Sequence, residues 1–362
     1  MTTLALRLAA STLALCETPS PIGEEEALAD DVERWARALL PADQVFRLGH
    51  SLVLGSLRDA RPTVALVGHL DTVPGPEGEL APRIEGDRLY GLGASDMKGG
   101  LAVLQALLED LPRAELAVNL IAILYEREEG PFLESGLGPL FEALPELARI
   151  HFAVAMEPTD GTVQVGCVGT LHATLRFEGR SAHSARPWQG KNAIHDAGPL
   201  LTELLRRERV EVLSAGFPFY EVMNVTKASG GRARNVIPDS FELNLNYRFA
   251  PGKSLEQAQE DVRAFVAGRA QVEFTDLSPS GRVCADNALF QQLLRLTGVP
   301  AESKQAWTDV ARFSALGVDA INFGPGETAQ AHQRNESCSV AALARAYERL
   351  HHFLTRAESV TG

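Results

Sequence analysis

Three apolar runs in the first half of the chain end in residues that bind metals or move protons. Thr63 to Gly68 (TVALVG) leads into His69-Leu70-Asp71. Ala117 to Tyr125 (AVNLIAILY) leads into Glu126-Arg127-Glu128-Glu129-Gly130. Phe152 to Met156 leads into Glu157-Pro158. Continuous apolar runs of this length read as strands buried on both faces. In an open α/β sheet the ligand crevice lies outside the carboxyl ends of the strands. The three runs therefore aim an imidazole and several carboxylates at one rim.

Each candidate has its own chemistry. His69 and Asp71 stand two apart, on the same side of an extended chain. A metal-bound His usually has a carboxylate on its other ring nitrogen, so Asp71 is either that partner or a ligand itself. Glu128 and Glu129 are adjacent anions that repel each other unless a cation stands near. One could bind a metal while the other acts as general base. Glu126 is the nearby decoy, on the same side as Glu128 by strand alternation. Asp96 sits in the glycine-rich stretch Gly91 to Gly100. A dinucleotide fingerprint fails there, because Asp96 occupies the place of the third glycine. Asp96 is either a helix N-cap or a metal ligand. Further on, Gly324-Pro325-Gly326 leads through a polar loop to His332. His69, Asp96, Glu129, Glu157 and His332 form a nitrogen and oxygen donor set without thiolates. That suits a catalytic Zn, Mn or Co pair better than a structural zinc. Two such metals about 3.5–4 Å apart can share a bridging carboxylate. A second cluster comprises Ser181 to Pro187, which contains His183, then Arg232 to Pro238 and Arg248. Its guanidinium groups match a polyanionic substrate, or form a solvated basic patch.

The elements that position these residues follow from periodicity. Two helical patterns open the chain, and the run Glu24-Glu25-Glu26 reads as a helix start, favoured by the helix dipole. Lys98 to Leu108 places leucines at helical spacing. Strand, polar residues and helix then repeat, which is the α/β signature. After about Gly169 the order becomes β-α-β-β-α-β, as in a ferredoxin-like α+β module. The expected organisation is a catalytic domain over 1–168, an inserted module over 169–280, and the rest of the catalytic domain over 281–362.

Composition sets the outer bounds. The chain has 362 residues, with Lys plus Arg at 34, Asp plus Glu at 47 and a net charge of −13. That balance argues against a nucleic-acid partner. The Cys residues at 16, 167, 284 and 338 form no C-x-x-C pair, and a chain of this size needs no disulfide framework. No apolar run approaches the ~18–20 residues of a membrane span. The Leu/Ala-rich N-terminus, interrupted by Arg7, reads as an amphipathic helix, and a cytoplasmic protein is expected.

The stretches GHLDTVP (68–74), GLGASDMKGG (91–100), EEG (128–130), MEP (156–158), SAHSARP (181–187), NVIP (235–238) and AHQRNE (331–336) resemble, in order, those of the co-catalytic zinc amidohydrolases. This family spans desuccinylases, deacetylases, aminoacylases and carboxypeptidases. The resemblance implies a zinc-peptidase-like catalytic domain with a mixed central sheet, interrupted by a ferredoxin-like lid that dimerises. It implies two Zn(2+) per subunit, with Co(2+) or Mn(2+) as substitutes. His69 and Glu157 would hold one metal, Glu129 and His332 the other, with Asp96 as the bridge. Asp71 would be the partner of His69, and Glu128 the general base. His183 would reach the partner subunit's active site and stabilise the oxyanion.

Within the family, Ser181 to Pro187, Gly230 to Pro238, Ala306 to Phe313 and Asn322 to Gly326 resemble the actinobacterial branch that hydrolyses the succinyl amide of N-succinyl-LL-2,6-diaminopimelate. Arg234, Asn235 and Arg248, with the hydroxyls of Thr170 and Thr308, would then bind the small anionic substrate. Cys167 departs from the pattern, since some members carry a substrate-binding Arg there. The alternative is another N-acyl-amino-acid amidohydrolase, such as one acting on N-acetylornithine.

Overall fold

The computed structural model describes residues 2–75 and 81–358. The chain divides into two compact units. Unit 1 comprises Met1–Gly166, Arg282–Glu302 and Arg312–Gly362, and unit 2 comprises Cys167–Gly281 and Ser303–Ala311.

Unit 1 is built on an eight-stranded sheet. Its order is Val45–Leu48, Ser51–Leu54, Asn119–Tyr125, Thr63–His69, Phe152–Ala155, Ala320–Asn322, Val163–Val165, Ala301–Ser303. From Asn119–Tyr125 to Ala320–Asn322 the strands run parallel, while Ser51–Leu54 and Val163–Val165 flank them antiparallel. The sheet is therefore mixed. All seven residues of Asn119–Tyr125 are buried, which is why its sequence is an unbroken apolar run rather than an alternation. The helix Gly99–Asp110 packs with Thr3–Glu17 and Val340–Arg356. Its Leu101, Leu104, Leu107 and Leu108 are at most 1% exposed, and each contributes roughly 1.5–3 kcal/mol of burial. The N-terminal helix buries Leu8, Ala9, Thr12 and Leu15.

That leucine-rich helix begins at Gly99 rather than Lys98. Asp96 and Met97 leave helical geometry just before it, at φ/ψ of −126/90 and −135/33. Two glycines permit close backbone approach beside the third strand end. A Cβ on Gly100 would lie 2.4 Å from the Met156 carbonyl oxygen, and one on Gly324 would lie 2.2 Å from it.

Unit 2 holds a five-stranded antiparallel sheet, ordered Val210–Ser214, Phe217–Gly230, Ser240–Phe249, Gly169–Glu178, Gln271–Ser278. The helices Ala193–Arg206 and Leu255–Val266 share one core with the inward residues, among them Leu171, Leu175, Phe177, Leu243 and Leu245. This is the ferredoxin-like arrangement plus an additional edge strand, Val210–Ser214. That strand escapes sequence reading because none of its residues is buried, so it carries no inward-outward signal. Ala215 and Gly216, at φ of +48° and +86°, turn it into its neighbour, as a two-residue hairpin requires.

The tract Ser303–Ala311, expected with the catalytic domain, groups with unit 2. Its side chains explain this. The Gln305 amide accepts from Tyr220 N–H at 3.0 Å and donates to Tyr220 C=O at 2.6 Å. Trp307 Nε1–H donates to the Pro279 carbonyl at 3.0 Å.

Candidate metal centre

Neighbouring parallel strands of unit 1 deliver the donor residues to one rim. His69 ends its own strand and pairs in register with Tyr125 on one side, while Val67 pairs with Ala155 on the other. Glu128 and Glu129 follow Tyr125, Glu157 follows Ala155, and the chain after Ala320–Asn322 leads to His332.

The side chains converge. His69 Nε2 lies 3.2 Å from Asp96 Oδ1, and His332 Nε2 lies 3.8 Å from Asp96 Oδ2 and 2.9 Å from Glu129 Oε1. Asp96 therefore stands between the two imidazoles. It does not cap the helix, whose N-cap is Lys98. Three groupings bring their donor atoms within 4.8 Å of one another: His69, Asp96 and Glu157; Asp96, Glu129 and His332; and His69, Glu128 and Glu129. The first two share Asp96. Four carboxylates and two imidazoles meet here, and the His69 side chain is fully buried while those of Asp96 and Glu129 are 12% and 8% exposed. Anions gathered at this range repel unless cations stand among them. The residues present thus fit a pair of divalent metals.

Asp71 is buried behind this group. Its carboxylate accepts the backbone N–H of Glu128 at 3.0 Å and of Glu129 at 2.9 Å, and Oδ1 lies 3.6 Å from His69 Nδ1. His69 Nδ1 also lies 2.9 Å from the Asp71 carbonyl oxygen, the contact that fixes its tautomer. Burial would raise the Asp71 carboxyl, but His69 and the two amides outweigh it and hold the group below its usual value. Burial would likewise lower His69, yet the Asp71 and Asp96 carboxylates hold it well above the usual imidazole range. Glu129 raises His332 to about 9.

Glu126 turns elsewhere, its Oε1 accepting the His50 N–H at 3.0 Å. The residue that sequence reasoning missed is Glu336. It is 4% exposed. Its carboxylate accepts the backbone N–H groups of Gly93, Ser95 and Asp96, each at 2.8 Å. Burial pushes it up to about 7 against the pull of these three amides. Its signal lay in AHQRNE, four residues after His332.

The other expected residues lie in unit 2. His183, Arg234 and Asn235 are exposed. Their loops are joined by the His183–Val236 bridge and by Ser184 N–H donating to the Asn235 carbonyl at 2.9 Å. Arg248 pairs in register with Thr170 and donates to Asn246 Oδ1 at 3.2 Å. Burial pulls its guanidinium down, with Asp276 opposing. Thr170 Oγ1 accepts from Asn246 at 3.0 Å, and Thr308 Oγ1 is buried without a hydrogen-bond partner among the described residues. Cys167 is fully buried, its thiol pushed up by burial.

A family model described as Peptidase family M20/M25/M40 matches residues 65–356. The chain belongs to this family. One M20 relative is the succinyl-diaminopimelate desuccinylase of Corynebacterium glutamicum, 37% identical over 92% of each chain. Another is the acetylornithine deacetylase of Myxococcus xanthus, 32% identical over 81% of this chain and 80% of that one. Among solved structures, the aminopeptidase PepT of Bacillus cereus superposes with a TM-score of 0.77 at 19% identity, covering 97% of this chain and 98% of that one. An M20 hydrolase accounts for the pattern above: strand ends that gather donors, and a buried carboxylate behind the Glu-Glu pair.

Proposed function

We propose that this chain hydrolyses the succinyl amide of N-succinyl-LL-2,6-diaminopimelate, releasing succinate and LL-2,6-diaminopimelate. The observation that carries the chemistry is Asp96 lying between His69 and His332, with Glu128 and Glu129 anchored through their amides on Asp71. The similarity to desuccinylases over most of the chain supports the choice of acyl group.

In this reading His69, Glu157 and Asp96 hold one Zn(2+), and Asp96, Glu129 and His332 hold another. Bound there, the metals would polarise the acyl carbonyl and acidify the attacking water. Glu128 takes a proton from that water as the new C–O bond forms, and passes it to the amine nitrogen as the C–N bond breaks. Asp71 fixes the His69 ring and the backbone carrying both glutamates. Unit 1 is the catalytic domain and unit 2 the lid. Arg234, Asn235, Arg248, Thr170 and Thr308 bind the substrate carboxylates, and His183 stabilises the oxyanion in a partner copy.

Unit 2 also dimerises. Its helix Ala193–Arg206 and edge strand Val210–Ser214 expose Ile194, Leu201, Leu205, Val210 and Leu213, a concentration of apolar surface that suits an interface. In this reading the reaction runs in the cytoplasm, which the four free, buried cysteines support. Among the described residues no helix is long and apolar enough to cross a membrane.

The test is hydrolysis of N-succinyl-LL-2,6-diaminopimelate and of N-acetylornithine by zinc-loaded protein, with chelated and Glu128→Ala controls. Succinyl-selective turnover is expected, absent on chelation and lowered about 10²–10⁴-fold by the substitution, with both metals retained. Turnover of N-acetylornithine alone would refute the substrate. Full activity of Glu128→Ala would refute the base.

A further inference from the structure

Glu25 belongs to the acidic run that opens the second helix and is its N-cap, the carbonyl accepting the Ala29 N–H at 2.9 Å, but its side chain is used elsewhere. The helix runs Glu26–Leu39, and the Glu25 side chain makes no cap bond to it. Instead Glu25 is 0% exposed. Its Oε1 accepts the Gly23 N–H at 2.9 Å and the Arg127 N–H at 3.2 Å.

Arg127 is the residue just before the Glu128-Glu129 pair, and its φ is +59°. A non-glycine residue in that region is disfavoured by roughly 1–2 kcal/mol. An acceptor waiting for its N–H offsets that penalty. The next two amides, of Glu128 and Glu129, are taken by Asp71 at 3.0 and 2.9 Å. Three successive N–H groups are thus received by two buried carboxylates from distant parts of the chain. Together they set the direction in which both glutamate side chains leave the backbone.

The segment carrying Glu25 also grips the other ligand loop. Ile22 N–H donates to the Thr72 carbonyl and Thr72 N–H to the Ser20 carbonyl, each at 2.9 Å, and Ser20 Oγ donates to the Leu70 carbonyl at 2.7 Å. On the opposite side Ile22 packs so closely that a Cβ on Gly130 would lie 2.4 Å from its Cδ1. The loop of residues 20–25 is a strap binding the His69-Asp71 turn to the Glu128-Glu129 turn.

One further fact separates Glu25 from a structural cap. Its Oε2 is buried without a hydrogen-bond partner among the described residues. A buried unsatisfied carboxylate oxygen is destabilising, and features that lower stability concentrate where function needs them. We propose that Glu25 is a positioning residue for the general base and its neighbouring metal ligand, acting through the Arg127 amide. This rests on the reading of Glu128 as base and Glu129 as ligand.

Two conservative variants of the full chain test it. Glu25→Gln keeps the acceptor in place and removes the charge. Glu25→Asp keeps the charge and withdraws the acceptor by one methylene. Glu25→Asp is expected to lower kcat about 10–100-fold, the usual effect of losing a partner behind a ligand, with KM nearly unchanged. It should weaken one of the two zinc sites by a similar factor in chelator competition. Glu25→Gln should stay near wild type in both readouts. Wild-type behaviour of Glu25→Asp, or a loss in Glu25→Gln as large as in Glu25→Asp, would overturn the proposal. Zinc competition needs no substrate. A wild-type protein that binds two zincs but hydrolyses no N-acyl amino acid would therefore fail the hydrolase reading while still deciding the role of Glu25.

Discussion

Glu336→Ala probes how the protein holds Asp96 between two imidazoles. The wild-type carboxylate receives three buried amides, from Gly93, Ser95 and Asp96. Leaving a buried N–H unpaired costs about 1–3 kcal/mol, so three of them set a range of about 3–9 kcal/mol. Truncation to Ala opens a polar space in which water can take up part of the bonding. The expected loss of stability in the metal-free protein is therefore near the lower end, about 3 kcal/mol. Asp96 loses its fixed direction at the same time, and zinc affinity should fall about 10–100-fold. Glu336→Gln is the informative companion. Its oxygen can still serve Ser95 and Asp96, but its NH₂ group must face the Gly93 N–H. One bond of the three is lost, so a smaller decrease of about 1–3 kcal/mol is expected. Urea unfolding of the metal-free proteins measures the first quantity and chelator competition the second. Stability within about 0.5 kcal/mol of wild type, as for an ordinary surface change, together with unchanged zinc affinity, would refute the clamp.

Two further outcomes follow from the same geometry. Without metal, Glu129 raises His332 to about 9, which favours the protonated ring at neutral pH, and the Asp71 and Asp96 carboxylates raise His69 in the same direction. Metals bind neutral imidazole. Loading at pH 7 should therefore release protons, and affinity should rise with pH towards about 9; calorimetric heats that do not vary with buffer ionisation enthalpy would exclude these histidines as ligands. Leu205 is 87% exposed on the unit 2 helix, so for the proposed dimer Leu205→Glu should shift sedimentation to monomer with zinc affinity intact, whereas a mass equal to that of the wild type would refute an interface at this helix.

The clustering of donor residues at one rim was legible because its signal is local. An apolar strand followed at once by His, Glu-Glu or Glu-Pro needs no tertiary information to be noticed. The sheet order was not legible, since nothing in TVALVG or AVNLIAILY says which strand lies beside which. Asp96 could not be resolved between cap and ligand, because its direction depends on a backbone departure from helix and on an acid far along the chain. Glu25 was hidden by a correct observation: an acidic run does precede a helix, but only the burial of one member distinguishes it from its neighbours. The edge strand Val210–Ser214 was invisible because alternation reports burial, and this strand has none. Thr308 shows the limit in another form: its hydroxyl is buried without a hydrogen-bond partner among the described residues, which no spacing rule anticipates.

The insertion also dictates an order of events during synthesis. The segment Cys167–Gly281 carries a whole antiparallel sheet and both helices of its core. It can form that sheet and core before the unit 2 tract Ser303–Ala311 is made, and while the mixed sheet of unit 1 still lacks Ala320–Asn322 and the covering helix Val340–Arg356. His69, Asp96, Glu129 and Glu157 then wait on the ribosome without the second imidazole and without Glu336. Counted from Glu157 to Glu336, that wait is on the order of ten to forty seconds at ordinary elongation rates. Throughout it, the nascent chain presents an open apolar strand edge and an unbalanced cluster of acids. The Phe152–Ala155 edge, which pairs with Ala320–Asn322 in the finished sheet, is thus left open until most of the chain has been made.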